Sequence, residues 1–88
     1  MVLAFGDVTM SDLAVQDINR QVIGERIRRS RKEAGVSLTE LARRVGVSER
    51  AVTRWQTGHL TPSLARLYAV AQVVDKPIGY FLDEETVP

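Results

Sequence analysis

The chain has 88 residues, which is enough for one small folded domain. Apolar residues make up 44% and charged residues 26%, values that are ordinary for a soluble globular protein. The absence of cysteine excludes disulfides, thiol nucleophiles and thiolate metal sites. Met1–Met10 lacks the basic start and long apolar run of a signal peptide, and no stretch is apolar over the roughly 18 residues that a membrane span needs. We therefore expect a soluble, cytoplasmic protein that does not bind a membrane.

Charge is distributed unevenly, although the formal net charge is only +1. Between Arg20 and Arg54 the chain has ten Lys/Arg against four Glu. Residues 1–19 carry three Asp, and residues 55–88 carry two basic and four acidic side chains. A basic middle between acidic ends is the layout expected of a nucleic-acid-binding surface. A solvated helical face would look the same, so charge alone does not decide between the two.

The N-terminal part of the chain shows regular patterning only from residue 20. Ser11 could cap a short helix in residues 1–19, and a mobile arm is an equal alternative. Ile23 and Ile27 are four residues apart and share one helical face, and Gly35 can adopt the left-handed conformation that ends a helix. The pattern predicts an arm over 1–19 and a first helix over 20–34.

Two further helices are predicted on either side of Gly46. Ser37 and Glu40 have the spacing of a capping box ahead of an apolar face. That face consists of Leu38, Leu41, Ala42 and Val45. Ser48 caps the third helix, which is predicted over Glu49 to Thr57, before Gly58. Its buried residues are predicted to be Val52 and Trp55, and Trp55 is expected in the core rather than stacked on a base.

The remaining chain predicts a fourth helix and a short fifth one. Thr61 and Pro62 are expected to open the fourth helix as N-cap and first-turn proline. Its apolar positions are Leu64, Leu67, Tyr68, Ala71 and Val74. Pro77 breaks this helix, residues 78–82 can form a fifth turn or helix, and residues 83–88 are an acidic tail. The fold expected over residues 20–82 is all-α, with four or five short helices.

The second and third predicted helices have the features of a helix-turn-helix unit. Ala42 is small where the two helices cross, and Gly46 supplies the turn. Val47 and Val52 fill the angle between the helices. This spacing is typical of proteins that insert the second helix of the unit into the DNA major groove.

From Ile23 to Leu82 the chain resembles the Cro/lambda-repressor type of helix-turn-helix proteins, often called the Xre family. The resemblance is carried by IGERIRRSRKEAGVSLTELARRVGVSERAVTRWQTGHLTPSLARL, followed by YAVAQVVDKPIGYFL. It implies a lambda-repressor-like domain of five helices whose third helix reads base edges. The sequence shows no His/Asp/Glu ligand cluster and no phosphate-cradling glycine loop, so no cofactor and no metal are predicted.

The resemblance also implies which residues contact double-stranded DNA. The base-reading residues would be Glu49, Arg50, Ala51 and Arg54. Arginine can hold guanine through two hydrogen bonds, glutamate accepts from cytosine N4, and a methyl group contacts thymine. The residues near phosphates would be Leu38, Arg43, Arg44, Ser48, Thr53, Thr57 and His59. A helix-dipole role is an equal alternative for Glu49, and an ordinary surface role is the main alternative for His59.

Two positions depart from the pattern of the family. Relatives often have glutamine where this chain has Leu38, so only the backbone N–H of Leu38 is expected to meet a phosphate. Relatives also commonly pair an arginine at the position of Arg31 with a glutamate on the third helix, where this chain has Gln56. We expect the Gln56 amide to accept from Arg31 more weakly, or Arg31 to find another partner.

A homodimer on a palindromic operator is expected, because one reading helix covers only a few base pairs. The predicted dimer interface is Ile78, Tyr80, Phe81 and Leu82. A second candidate interface is the apolar part of the arm, namely Leu3, Phe5 and Leu13.

The sequence shows no catalytic constellation, so no enzyme is predicted. The resulting hypothesis is a small repressor associated with the nucleoid, and the alternatives are an antitoxin that also binds a toxin and an adaptor that has lost DNA binding.

Overall fold

The computed structural model describes residues 19–82, and all regular structure in that range is helical. Helix α1 includes residues 19–33, and α2 follows at Leu38–Val45. Helices α3, α4 and α5 span Glu49–Gln56, Leu64–Val74 and Gly79–Leu82. The prediction of an all-α fold is confirmed, with five helices. The tail over 83–88 and all but the last residue of the predicted arm lie outside the described residues.

Serine side chains cap three of the helices at their N-terminal ends. Ser37, Ser48 and Ser63 all have extended backbone, and each hydroxyl accepts from the backbone N–H three residues further along. The first two caps were predicted, but the prediction that Thr61 and Pro62 open the fourth helix is wrong. Ser63 satisfies the Arg66 N–H at 3.2 Å, whereas Pro62 is buried ahead of the helix as a packing residue.

The turn between α2 and α3 depends on the left-handed backbone of Gly46. Its φ is 85°, a backbone conformation that residues other than glycine rarely adopt. The Gly46 N–H donates to the Ala42 carbonyl at 2.9 Å and thereby closes the end of α2. Ala42 itself is buried, as expected for the point where α2 and α3 cross. The chain can therefore reverse within a few residues and begin α3 at Glu49.

One apolar core draws side chains from all five helices. Its buried members among residues 19–82 are Ile23, Ile27, Leu41, Ala42, Val52, Trp55, Leu67, Val70, Ala71, Val74 and Phe81. On α4 the buried face is centred on Leu67, Val70 and Val74. Leu64 and Tyr68, which were predicted on that face, are 64% and 53% exposed because they lie on the flank of α4 that points away from the core. Within the described part of the chain, no helix is both long enough and apolar enough to cross a membrane.

Candidate nucleic-acid interface

Helix α3 has one buried face and one exposed face along its eight residues. Val52 is fully buried and Trp55 is 3% exposed, which confirms the prediction that Trp55 is a core residue. Arg50, Thr53 and Arg54 are all exposed. Because residues three or four apart share a helical face, the anchoring of Val52 and Trp55 turns these polar side chains outward.

The C-terminal end of α3 packs directly against the backbone of α1. A Cβ atom added to Gly24 would lie 2.2 Å from the Trp55 carbonyl oxygen and 2.9 Å from that of Gln56. Only a residue without a side chain allows this approach, so Gly24 sets the distance between the two helices. Sequence reasoning missed this role. The available signal was a glycine inside a helical pattern, where glycine is otherwise unfavourable.

Arg31 forms a second tie between α1 and the end of α3. Its Nε donates to Gln56 Oε1 at 2.9 Å, and its Nη1 donates to the Val36 carbonyl at 3.0 Å. The predicted Arg31–Gln56 contact is therefore present, and the Val36 carbonyl is a second partner of Arg31. The two bonds connect the segment before α2 to the C-terminal end of α3.

The N-terminal end of α3 is held by fewer and more exposed contacts. The Ser48 hydroxyl accepts from the Ala51 N–H at 3.1 Å, so its oxygen serves as a cap, and a phosphate contact would have to use its hydrogen. Ala51 is half-buried against the core, which leaves only part of its surface open to a base. Glu49 Oε2 accepts from Thr39 Oγ1 at 2.8 Å. Thr39 was not among the predicted site residues.

The predicted arginines differ in their ionic contacts. Within residues 19–82, Arg50 and Arg54 form no ion pair, whereas Arg43 Nη2 lies 2.6 Å from Glu40 Oε2. Arg44 Nε lies 4.0 Å from the same carboxylate oxygen. Solvent-exposed pairs of this kind contribute little to stability, so Arg43 and Arg44 would lose little free energy on leaving Glu40 for a phosphate.

The remaining predicted phosphate contacts lie at the ends of α2 and α3. Leu38 is the first residue of α2, and its side chain packs against the core, so its backbone N–H is the group left for an anion. Thr57 Oγ1 donates to the Thr53 carbonyl at 3.0 Å and lies 2.8 Å from His59 Nδ1. Thr57 and His59 therefore contact each other at the end of α3 and in the turn after it, and both side chains are exposed.

The predicted dimer residues do not form one continuous exposed surface. Phe81 is 1% exposed in the core, so the prediction that it contacts a partner is wrong, because no surface of its ring is left for one. Ile78 and Tyr80 are half-buried, and the Tyr80 ring lies edge-on to Phe81 with 5.0 Å between centroids. Leu82 is 43% exposed and is the most open of the four.

These features match a known family. The family model described as Helix-turn-helix matches residues 27–81, which is more than half of the chain. The chain belongs to the helix-turn-helix family, in its Xre/Cro-like form. Proteins of this family are DNA-binding proteins rather than enzymes. In such proteins the second helix of the unit enters the major groove, and α3 holds the position of that helix in this chain.

Individual helix-turn-helix proteins are similar over most of this chain. The transcriptional regulator SinR of Bacillus subtilis is 38% identical over 65 residues, covering 73% of this chain and 59% of that protein. Repressor protein C2 of Salmonella phage P22 is 32% identical, covering 74% of this chain and 30% of that protein. The chain therefore spans less than two thirds of the length of these curated relatives. The crystal structure of the clp gene regulator ClgR from Corynebacterium glutamicum superposes with a TM-score of 0.72 at 26% identity, covering 77% of this chain and 72% of that one.

Proposed function

We propose that this helix-turn-helix protein is a transcriptional repressor that binds a palindromic operator as a homodimer and acts at the chromosome in the cytoplasm. The observation that carries the proposal is the exposed face of α3, where Arg50 and Arg54 have no ion pair within residues 19–82. Both guanidinium groups are available to hold guanine O6 and N7 or a phosphate. The names of SinR, a transcriptional regulator, and C2, a repressor, support the same role for this chain.

The dimer follows from the small size of the reading surface. A single α3 of eight residues can contact only a few base pairs, whereas two copies on half-sites one helical turn apart multiply the specificity. The apolar surface that supports pairing is Leu82, next to the half-buried Tyr80. Repression then requires only that the dimer occupies a promoter.

The DNA-binding part of the proposal is tested by fluorescence anisotropy with the full chain. One labelled duplex carries the DNA upstream of its own gene, and a scrambled duplex of equal composition is the control. We expect much tighter binding to the upstream duplex, with an affinity that falls steeply as salt increases because bound counterions are released. Absence of binding to either duplex at low salt would contradict the proposal. Equal, weak binding to both would mean either that the operator lies elsewhere or that a protein partner must be supplied.

The dimer is tested separately by sedimentation equilibrium. Leu82→Asp is expected to shift the protein to monomer and to remove the advantage of a two-half-site duplex over a one-half-site duplex. Leu64→Asp is the matched control, since Leu64 is an equally apolar and still more exposed residue on α4. If Leu64→Asp rather than Leu82→Asp shifts the protein to monomer, the interface lies on α4.

A further inference from the structure

We propose that Thr39 is a positioning residue that orients Glu49 and thereby sets part of the sequence specificity of α3. The inference rests on the proposed DNA-binding function. Thr39 is the second residue of α2, Glu49 is the first residue of α3, and Thr39 Oγ1 donates to Glu49 Oε2 at 2.8 Å. Within residues 19–82, this is the one hydrogen bond between side chains of α2 and α3.

The bond leaves half of the Glu49 carboxylate open. An ionised carboxylate accepts hydrogen bonds and donates none. Oε2 is occupied by Thr39, whereas Oε1 has no hydrogen-bond partner and no ion pair among the described residues. An open acceptor at the start of α3 matches the N4 amine of cytosine and is repelled by the acceptors of guanine and thymine. Glu49 held in this way is a reader of an exocyclic amine.

Within residues 19–82, the Thr39 hydroxyl makes no hydrogen bond other than the one to Glu49. The N-terminus of α2 is capped by Ser37, whose hydroxyl accepts from the Glu40 N–H at 3.0 Å. Glu40 turns its carboxylate toward Arg43, and Ser48 caps α3. The Thr39 hydroxyl is therefore used for Glu49 rather than for ending or starting a helix.

The physical effect of the bond is pre-orientation. A long side chain at the protein surface loses rotamer freedom when it contacts a base, and a side chain that is already held loses less. Both Thr39 and Glu49 are exposed, so water competes with the bond and its effect is a fraction of one base contact. We expect removal of the hydroxyl to weaken discrimination at a single base pair by about three- to tenfold, while the affinity for unrelated DNA is unchanged.

The test compares two substitutions at the same position. Thr39→Val removes the hydroxyl and keeps the β-branched shape, so the helix propensity of α2 changes little. Thr39→Ser keeps the hydroxyl and is the matched control. Circular dichroism melting of both variants ensures that differences in DNA binding are compared between folded proteins.

A selection of the wild-type full chain on a random duplex library first defines its operator. Every single-base variant of that operator is then titrated with wild type, Thr39→Val, Thr39→Ser, Glu49→Ala and the double variant Thr39→Val/Glu49→Ala. We expect Thr39→Val to flatten the preference at the base pair where Glu49→Ala also acts, and Thr39→Ser to restore it. In the Glu49→Ala background, Thr39→Val should have no further effect, which is the signature of two coupled residues.

Three outcomes would overturn the inference. If Thr39→Val keeps the wild-type preference at every base pair, Thr39 does not position Glu49. If it lowers affinity equally for all duplexes, and does so in the Glu49→Ala background, Thr39 contacts the DNA backbone itself. If wild type enriches no sequence at all, the proposed function fails and the inference fails with it, a result that the first step alone distinguishes from the other two.

Discussion

The two ends of α3 are held in different ways. At the C-terminal end, Trp55 is buried, Gln56 accepts from Arg31, and Gly24 brings the backbone of α1 against both carbonyl groups. At the N-terminal end, the side-chain bonds are the Ser48 cap and the contact from Thr39, and both bonds are exposed. The C-terminal end of α3 is thus anchored to α1 while its N-terminal end is exposed, within a helix of only eight residues.

This difference assigns different consequences to mutations at the two ends. Changes at the C-terminal end disturb the packing between α1 and α3 and should lower the free energy of unfolding. Changes at the N-terminal end and on the exposed face remove groups that touch solvent, so they should alter DNA binding with little effect on folding. Three substitution experiments test this contrast.

The largest effect is expected from Gly24→Ala. In the interior of an ordinary helix, replacing glycine with alanine stabilises the fold by about 1 kcal/mol. The new Cβ would instead meet the Trp55 carbonyl oxygen at 2.2 Å, a backbone atom that cannot rotate away. We expect the free energy of unfolding to fall by about 3 kcal/mol, measured by urea denaturation.

Gly79→Ala is the matched control for that substitution. Gly79 is the first residue of α5, and an added Cβ would meet nothing within 4 Å. Its free energy of unfolding should stay the same or rise by about 0.4–1 kcal/mol. A stabilising Gly24→Ala would show that α1 and α3 do not approach as closely as described.

An intermediate effect is expected on the exposed face of α3. Arg50→Ala and Arg54→Ala should each weaken operator binding by about 1–3 kcal/mol, if each arginine holds a base through two hydrogen bonds. The melting temperature should change little, because neither arginine has an ion pair within residues 19–82. Anisotropy titration and circular dichroism measure the two quantities.

Arg28→Ala is the control for charge, since Arg28 is an exposed arginine on α1. It removes the same charge from a different helix. If Arg28→Ala weakens specific binding as much as the two α3 variants do, overall charge rather than the α3 face decides recognition.

The smallest effect is expected from Gln56→Glu, which strengthens the anchored end. A carboxylate in place of the amide oxygen would make the 2.9 Å contact with Arg31 an ion pair. Hydrogen bonds to charged groups contribute more than neutral ones, so we expect a gain of about 1 kcal/mol at low salt, equivalent to a rise in melting temperature of about 4–8 °C. The gain should shrink as salt is added.

Gln72→Glu controls for a negative charge near the end of a helix. Gln72 is exposed near the C-terminus of α4, where a carboxylate is unfavourable toward the helix dipole and no basic residue lies in the last turn. An unchanged or lower melting temperature for Gln56→Glu would mean that this dipole effect outweighs the contact with Arg31.

Much of the helix-turn-helix unit could be predicted from local chemistry. Ser37 and Ser48 act as caps because a serine oxygen satisfies backbone N–H groups within its own helix end. Gly46 ends α2 because the left-handed turn needs a residue without a Cβ. Val52 and Trp55 are buried because their spacing puts them on one face of α3. All these signals act over four residues or fewer.

One wrong prediction is local, because Ser63 rather than Thr61 caps α4. The other wrong predictions, and the contacts that were missed, depend on where separate helices meet. Leu64 and Tyr68 have the spacing of a core face, but the orientation of α4 against its neighbours leaves them exposed. Phe81 was predicted at a dimer interface, but the packing of α5 buries it in the core of the monomer. The sites named for base and phosphate contacts stay predictions, and Thr39 is proposed as the residue that positions one of them, Glu49.

Local patterns in the sequence predict the helices, the serine caps of α2 and α3, the turn at Gly46 and the buried face of α3, because each depends on the hydrogen bonding and periodicity of a short segment. Only the packing of the helices against one another brings Gly24 to the end of α3 and Thr39 within hydrogen-bond distance of Glu49. The first contact joins residues about thirty positions apart, and the second crosses the turn between two helices. Such contacts depend on interhelical distances of a few ångströms, which the packing of the whole core sets and no local pattern encodes.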